Sequence, residues 1–424
     1  MATEELMATE LLRLVTAGSV DDGKSTLIGR LLYDTKQIMV DQLEHIETTS
    51  KRRGDGYVNL ALLTDGLRAE REQGITIDVA YRSFVTPRRR FQLADAPGHV
   101  QYTRNMVTGA STADVAVILV DARKGVVEQT RRHSYIAAVL GIPHVVFAVN
   151  KMDLAGYDER AFASIADELL VLAERLGIRD EVAIPVSALR GDNVVEGTDA
   201  MPWYEGPALL EHLETVEIAG DRNLADRRFP VQWVIRPMSA EHHDYRGYAG
   251  QVAGGVWRAG DEVVVLPSGS RSKVAAVETA DGRLDVAVPP QSVTILLEDE
   301  LDVGRGDMLA DPERLPAVAG ELEAVVCWMS ERPLAARAKL VVKQTTRSVR
   351  AVVDELVSVV DIHTLEDEQV PERLSLNDIG RVRLRLAEPL VVDAYSDNRA
   401  TGALILIDES TNETVAAGMV VAAA

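Results

Sequence analysis

The chain has 424 residues, 46% hydrophobic and 26% charged, so it reads as a folded protein long enough for two or three domains. Its formal net charge of -21 argues against broad attraction to nucleic acid or anionic membranes. A single cysteine, Cys327, excludes an intrachain disulfide and a cysteine metal cluster. With no basic, apolar leader at its start and no long apolar run, the sequence predicts a cytoplasmic protein.

The first half of the chain alternates apolar runs with helical patterns. LLRLVTAG, FQLADAP, VAVILVDA and HVVFAVN are short apolar runs bounded by glycine, proline or aspartate. Stretches such as STLIGRLLYD and FASIADELLVLAERLG lie between them and have helical periodicity. Buried strands that alternate with helices predict an α/β domain with a mostly parallel sheet and helices on both faces. We expect this nucleotide-binding domain to occupy residues 1–222.

The second half has a different pattern, in which short strands are separated by glycine, proline and aspartate turns. FPVQWVIR, GDEVVVLP and SVTILLED belong to a first set, and EAVVCWMS, AKLVVKQ and GALILID to a second. No convincing long helix interrupts either set, which predicts two antiparallel β-barrels. We place them at residues 223–316 and 317–424.

The segment GSVDDGKST fits the pattern G-x-x-x-x-G-K-[ST] and stands between a predicted strand and a predicted helix, as a phosphate-binding loop must. Its glycines let the backbone wrap so that N–H groups point at phosphate oxygens, and the helix N-terminus adds partial positive charge. Lys24 should reach the β- and γ-phosphates and Ser25 should bind Mg²⁺. The predicted contacts are Gly18, Ser19, Val20, Asp21, Asp22, Gly23, Lys24, Ser25 and Thr26.

The segment DAPGH at residues 95–99 ends the apolar run FQLA. An aspartate at the end of such a strand can hold Mg²⁺, directly or through water, which is the role predicted for Asp95. The Gly98 N–H can meet the γ-phosphate, and His99 would then lie where it could orient an attacking water. The predicted nucleotide contacts in this segment are Asp95, Ala96, Pro97, Gly98 and His99.

The segment NKMD follows the apolar run HVVFAV and predicts the base. A carboxylate at Asp153 can accept hydrogen bonds from the N1–H and the exocyclic amine of guanine, an edge that adenine lacks. The stem of Lys151 would pack along the ring, and the tripeptide SAL could present a backbone N–H to guanine O6. The predicted contacts are Asn150, Lys151, Met152 and Asp153, with Ser187, Ala188 and Leu189, and they favour GTP over ATP.

A threonine between these motifs completes the predicted site. Thr76, in LRAEREQGITID, can close on Mg²⁺ when a γ-phosphate is present. Its alternative role is that of a β-branched residue at the start of the following strand.

Together, GSVDDGKST, EREQGITID, DAPGH and NKMD resemble the translation-factor family of GTPases, in their order, their spacing and the two barrels that follow. The resemblance covers essentially the whole chain. It implies GTP and Mg²⁺ as ligands, catalytic roles for Lys24, Thr76 and His99, and Mg²⁺ ligation by Ser25, Thr76 and Asp95.

Within that family, factors that carry aminoacyl-tRNA typically read GHVDHGK, whereas Ser19 and Asp22 replace the two histidines here. TDGLRAEREQGITIDVAYRSF, DYRGYAG and DNRATGALILID resemble the large, GTPase subunit of bacterial sulfate adenylyltransferase. That resemblance implies GTP hydrolysis that drives the formation of adenosine 5′-phosphosulfate and pyrophosphate from ATP and sulfate on a smaller catalytic subunit, in a heterodimer or a higher assembly. Because the phosphate-loop pattern occurs once, we expect no fused adenylylsulfate kinase.

Two other functions stay open at the level of sequence. An elongation factor that carries aminoacyl-tRNA would share the fold and the GTP chemistry, but it needs a basic RNA-binding surface, and its binding would weaken steeply with salt. No concentrated basic run marks such a surface. A free-standing regulatory GTPase would use its barrels only as an interaction platform, and would have no part in sulfate activation.

Overall fold

The computed structural model describes residues 11–53, 57–63, 78–99, 102–237, 245–361, 364, 366–368 and 370–424. The chain divides into two compact units, with the division between Ile218 and Ala219. Thr76 and most of the segment around it lie outside the described residues. Among the helices that the structure describes, none is long and apolar enough to cross a membrane.

The first unit is built on a six-stranded sheet. Its strands are β1 (Leu11–Gly18), β2 (Ala80–Val85), β3 (Arg90–Asp95), β4 (Val115–Asp121), β5 (His144–Asn150) and β6 (Asp180–Pro185). The order is β2-β3-β1-β4-β5-β6, in which β2 is antiparallel to β3 and the other pairs are parallel. Every residue of β4 and β5 is buried, which explains their unbroken apolar sequences. The predicted mostly parallel α/β sheet is therefore confirmed.

Helices connect these strands. They are α1 (Lys24–Asp34), α2 (Val40–Arg53), α3 (Thr103–Ala110), α4 (Glu128–Val139), α5 (Glu159–Arg175) and α6 (Leu209–Thr215), with 3-10 turns at Leu60–Leu63 and Met152–Ala155. The start of α5 shows how a local sequence signal begins a helix. The carboxylate of Asp158 caps the helix by accepting the backbone N–H groups of Arg160 and Ala161. The helix then buries apolar side chains that recur at helical spacing, including Leu169 and Leu172.

The sheet brings the predicted motifs to one edge. The parallel strands β1, β3 and β5 end at Gly18, Asp95 and Asn150, and the carboxyl ends of parallel strands share one edge of a sheet. The register fixes their relative heights, since Thr16 of β1 is paired with Asp95 of β3. Three motifs that are far apart in sequence therefore meet at this edge.

The second unit contains two antiparallel sheets and begins with a 3-10 turn at Ala219–Asp221. The first sheet contains β7 (Arg228–Ile235), β8 (Gly247–Gln251), β9 (Glu262–Leu266), β10 (Ser270–Thr279), β11 (Gly282–Leu284), β12 (Ser292–Leu297) and β13 (Met308–Ala310). Its order is β11-β10-β12-β8-β7-β13-β9, and a further pairing of β9 with β10 closes the sheet into a barrel.

The second sheet closes in the same way. It contains β14 (Ala317–Trp328), β16 (Lys339–Gln344), β17 (Arg347–Asp361), β18 (Glu366–Glu368), β20 (Ile379–Val392), β21 (Ala403–Ile407) and β22 (Thr414–Ala423). Pairing of β16 with β17 closes it, while β15 (Leu334–Ala335) and β19 (Arg373–Leu374) form a separate pair and α7 spans Arg399–Gly402. The predicted succession of an α/β domain and two barrels is confirmed.

A buried ion pair joins the two barrels within the second unit. Arg228 of the first barrel, 3% exposed, makes two 2.9 Å contacts with the carboxylate of Asp393, which follows β20. Thr401 donates a hydrogen bond to the same carboxylate at 2.6 Å. A charge this deeply buried needs such complete pairing. The three-domain boundaries at residues 222 and 316 stay predictions, since the compact units number two.

Candidate nucleotide-binding site

The phosphate loop (residues 18–26) turns tightly between β1 and α1. Gly18 and Gly23 have φ values of 150° and 96°, which favour glycine, and Asp21 also has a positive φ of 69°. A Cβ on Gly23 would lie 2.5 Å from the Nδ2 atom of Asn150, so no larger residue fits there without a shift. The turn leads into the N-terminus of an 11-residue helix, whose first N–H groups have no partner within the helix. The loop therefore has the backbone of an anion-binding site.

Lys24 is held inside this loop. Its side chain is buried, and its Nζ atom donates hydrogen bonds to the carbonyl oxygens of Gly18 at 2.7 Å and Ser19 at 3.1 Å. Burial lowers the pKa of Lys24, while the carboxylates of Asp95, Asp22 and Asp21 oppose that shift. Among the described residues, the groups that Lys24 Nζ bonds are these two backbone carbonyls, which it could exchange for phosphate oxygens.

The two aspartates of the loop differ in their environment. Asp21 is exposed, whereas Asp22 is 1% exposed and its carboxylate accepts the backbone N–H of Ser19 at 2.7 Å. The Asp22 carboxylate therefore points into the loop's own backbone. Val20, Ser25 and Thr26 are half-buried.

The DAPGH segment lies against the phosphate loop. Asp95 is buried at the end of β3, where the hydroxyl of Thr16 donates to its Oδ1 atom at 3.5 Å, and the Ala96 N–H donates to the Thr16 carbonyl at 3.2 Å. A Cβ on Gly98 would fall 2.2 Å from the carbonyl oxygen of Gly18 and 2.5 Å from Nζ of Lys24. Glycine at position 98 is therefore required for this close approach.

Pro97 and His99 complete the described part of that segment. Pro97 is buried, whereas His99 is exposed, and its carbonyl accepts the Tyr102 N–H at 2.9 Å. The His99 and Tyr102 rings are 6.2 Å apart between centroids. An exposed imidazole beside the phosphate loop is compatible with contact to a water or to a partner, and the water-orienting role stays a prediction.

Asn150 links the phosphate loop to the guanine loop (residues 187–189). Its Nδ2 atom donates to the carbonyl of Asp22 at 2.7 Å, and its Oδ1 atom accepts the N–H of Ala188 at 2.9 Å. The side chain is 2% exposed, so both bonds are shielded from water. One buried carboxamide thus fixes the distance between the predicted phosphate and base contacts.

Ser187 orients the predicted base selector. Its hydroxyl donates to Oδ1 of Asp153 at 2.7 Å, and the N–H of Arg190 donates to the same hydroxyl at 3.2 Å. Met152 is fully buried and its N–H donates to the Val186 carbonyl, so its side chain anchors the turn instead of facing a ligand. Among the backbone N–H groups of SAL, one of which was expected to reach guanine O6, that of Ala188 donates to Asn150 in this structure, because a buried N–H needs an acceptor.

Two neighbouring residues were missed by the sequence reasoning. Asp121, at the end of β4, binds Arg123 at 2.7 Å and Nζ of Lys151 at 3.0 Å, and Lys151 also donates to the Asp21 carbonyl. Burial raises the pKa of Asp121, but its hydrogen bonds to Arg123 and Lys151 outweigh burial and leave the pKa well below its usual range. The sequence did hold a clue to Asp121, since this aspartate ends the apolar run VAVILVD just as Asp95 ends its own strand.

Arg30 was missed as well. From α1 it donates to the carbonyls of Ala188 at 3.3 Å and Leu189 at 2.7 Å, and it pairs with Asp34 at 3.4 Å. The guanidinium therefore holds the guanine loop against the helix that the phosphate loop begins. Arg30 lies nearly two turns into α1, on the side of the helix that faces the guanine loop. Its spacing from the phosphate loop in the sequence does not reveal this contact.

The structure thus places the described residues of the predicted site at one edge of the sheet. Thr76, predicted as a catalytic residue and a Mg²⁺ ligand, lies outside the described residues. Within those residues, no group of three or more histidine, cysteine, aspartate or glutamate side chains could hold a metal ion by itself.

Comparison with known proteins agrees with this site. The family model of the elongation factor Tu GTP binding domain matches residues 9–218, and that of the GTP-eEF1A C-terminal domain-like family matches residues 321–421. "Sulfate adenylyltransferase subunit 1" of Bacteroides fragilis is 54% identical over 97% of this chain and 86% of that protein. The protein of the same name from Citrobacter koseri is also 54% identical, with the same coverage.

A longer relative is the "Bifunctional enzyme CysN/CysC" of Mycobacterium tuberculosis, which is 57% identical over 97% of this chain and 67% of that protein. Each of these alignments covers 97% of the chain, so the similarity is not confined to the nucleotide motifs. They favour the sulfate-activating branch over the translation factors. The chain belongs to the sulfate adenylyltransferase subunit 1 family of GTP-binding proteins.

Proposed function

We propose that this protein is the GTP-hydrolysing subunit of a sulfate adenylyltransferase. In this proposal GTP hydrolysis drives the formation of adenosine 5′-phosphosulfate and pyrophosphate from ATP and sulfate on a smaller catalytic partner, in the cytoplasm. The observation that carries it is the Asn150 side chain, which joins a phosphate loop and a guanine loop into one site. Family membership supports the coupling to sulfate activation.

Guanine selection would rest on Asp153. The hydroxyl of Ser187 fixes one of its carboxylate oxygens, so the carboxylate is oriented before the base arrives. A preorganised carboxylate at Asp153 would accept the N1–H and the exocyclic amine of guanine. Adenine lacks that pair of donors, so its binding would be disfavoured. Arg30 supports the loop from behind through two carbonyls.

Mg²⁺ fits the residues at the phosphate end of the site. Ser25 begins α1 beside Lys24, and the buried carboxylate of Asp95 lies close enough to interact electrostatically with Lys24. A hydroxyl and a carboxylate are the hard oxygen ligands that Mg²⁺ takes alongside nucleotide phosphates. Ser25 and Asp95 would hold the ion, with Thr76 proposed as a further ligand. When bound, Mg²⁺ would neutralise charge on the β- and γ-phosphates.

Hydrolysis would proceed by in-line attack of water on the γ-phosphorus. Lys24 would leave the carbonyls of Gly18 and Ser19 for the phosphate oxygens, where its charge stabilises the transferring phosphoryl group. Gly98, where a Cβ would fall 2.5 Å from Nζ of Lys24, would contact the γ-phosphate through its N–H, and His99 would orient the water. Its exposed position beside the loop supports that role.

Coupling to the partner subunit requires a difference between the GTP and GDP states. Thr76 and Gly98 would respond to the γ-phosphate, and the segments that carry them would relax after hydrolysis. The partner must then bind the two states with different free energies, because a ligand with equal affinity for both shifts nothing.

The test is reconstitution with the cognate smaller subunit. With ATP, sulfate, Mg²⁺ and GTP, adenylylsulfate should accumulate beyond the level reached without GTP, and a non-hydrolysable GTP analogue should not support the excess. Tight binding of aminoacyl-tRNA, with no effect of GTP on sulfate activation, would instead favour the elongation-factor alternative.

A further inference from the structure

Asp22 is a buried carboxylate inside a loop that is built to bind anions. Its side chain is 2% exposed, and its Oδ2 atom accepts the Ser19 N–H at 2.7 Å. Its own carbonyl accepts the Asn150 carboxamide at 2.7 Å. A buried carboxylate is costly unless it is paired, and one backbone N–H does not neutralise its charge. Asp22 therefore keeps its charge at this depth only if a cation compensates it.

Two lysines lie near enough to do so. Lys124 places its Nζ atom 4.0 Å from Oδ1 of Asp22, and Lys24 also attracts this carboxylate, whereas Asp121 repels it. Burial raises the pKa of Asp22, and the Ser19 N–H and the two lysines act against that shift. The carboxylate thus depends on its surrounding charges.

The turn that carries Lys124 is fixed in place. The N–H groups of Lys124 and Gly125 both donate to the carbonyl of Asp121, at 2.9 and 3.0 Å, and Gly125 has a φ of 67°. The N–H of Arg123 donates to the Asp121 carboxylate at 3.0 Å. This turn follows the fully buried strand β4, so its backbone presents Lys124 from a rigid base.

Lys24 would no longer compensate the Asp22 carboxylate fully once a nucleotide is bound. The proposed function requires Lys24 to serve the β- and γ-phosphates. Those phosphates are anionic and would lie beside the Asp22 carboxylate, so repulsion grows as the compensation from Lys24 is withdrawn. Lys124, which makes no bond to the loop's carbonyls among its described contacts, stays available for Asp22.

We propose that Lys124 is a positioning residue for nucleotide binding, which compensates the buried carboxylate of Asp22 and so keeps Ser19 and the curvature of the phosphate loop in place. The inference rests on the proposed function, since it needs a guanine nucleotide at this loop. It also gives a role to Asp22, which stands where aminoacyl-tRNA carriers have a histidine.

The test measures the affinity of the full chain for mant-GTP with Mg²⁺ in a set of matched variants. Lys124→Met should weaken binding on the order of tenfold, the scale of a half-buried ion pair. Asp22→Asn keeps an oxygen for the Ser19 N–H but removes the charge, so the double variant Asp22→Asn/Lys124→Met should regain most of the lost affinity. Arg131→Met, which removes a surface cation paired with Glu168, is the control and should bind as wild type does.

Recovery of affinity in the double variant would distinguish charge compensation from a merely structural role. If the two residues were only structural, the losses of affinity from the two substitutions would add. Affinity of Lys124→Met equal to wild type, or a double variant no better than Lys124→Met, would overturn the inference while leaving the proposed function intact. A wild-type chain that bound no GTP would overturn the proposed function and this inference with it. Lys124→Arg should bind as wild type does, and its failure would also count against charge compensation.

Discussion

Replacing Asn150 with alanine should uncouple the phosphate loop from the guanine loop. The carboxamide makes two buried hydrogen bonds, to the Asp22 carbonyl at 2.7 Å and from the Ala188 N–H at 2.9 Å. Each buried polar group left unpaired costs about 1–3 kcal/mol, so the α/β unit should lose about 2–6 kcal/mol of unfolding free energy. The bound nucleotide needs both loops at a fixed separation, so a coupling loss of about 2 kcal/mol would weaken GTP binding about 30-fold.

Asn193 provides a matched control for this change. It is also buried, and its side chain donates to the Pro185 carbonyl at 3.0 Å and accepts the Thr198 N–H at 3.1 Å. Neither of these described bonds involves the phosphate loop. Calorimetric unfolding and titration with mant-GTP should be run on both alanine variants. Both should unfold more easily, but only Asn150→Ala should lose GTP affinity steeply. Equal losses of affinity in the two variants would refute the bridging role, because general destabilisation would then explain both.

Three further changes probe other parts of the site. Asp153→Asn should shift preference from guanosine to xanthosine nucleotides in competition binding, and unchanged GTP selectivity would disprove the base assignment. Gly98→Ala would put a Cβ 2.2 Å from the Gly18 carbonyl oxygen, so single-turnover GTP hydrolysis should fall about tenfold or more, and an unchanged rate would contradict the predicted contact. His133 is a buried residue of α4, and burial lowers its pKa from 6.5 to about 3. Between these two pKa values the unfolded chain binds a proton that the folded unit does not, so stability should fall by about 2 kcal/mol from pH 7 to pH 5. His133→Leu should flatten that decline in urea titrations, and an identical pH profile would exclude the histidine as its source.

The sequence predicted those parts of the site that depend on short stretches of neighbouring residues. A glycine-rich turn between a strand and a helix, and aspartates at the ends of apolar runs, are local consequences of backbone geometry and hydrophobic periodicity. The register of Thr16 with Asp95 shows why they meet, since parallel strands align their carboxyl ends. The two barrels followed from the spacing of short strands and turns.

The long-range contacts could not be predicted in this way. That the Asp22 carboxylate turns back on Ser19, that Asn150 spans two loops and that Arg30 holds the guanine loop depend on how distant segments pack. Which backbone N–H of SAL could serve guanine O6 also depends on packing, because Asn150 accepts the N–H of Ala188. Which groups pair in a buried site is decided by tertiary structure, and residue types alone leave several pairings open.

Coupled turnover in the reconstituted complex tests whether GTP hydrolysis by this chain drives sulfate activation. Adenylylsulfate and GDP would be quantified in the same reaction, with the wild-type chain and with Lys24→Ala, which removes the cation held by the Gly18 and Ser19 carbonyls. The wild type should drive adenylylsulfate beyond the GTP-free level as GDP appears, and Lys24→Ala should leave both at background. Accumulation of adenylylsulfate beyond that level with Lys24→Ala would contradict that coupling.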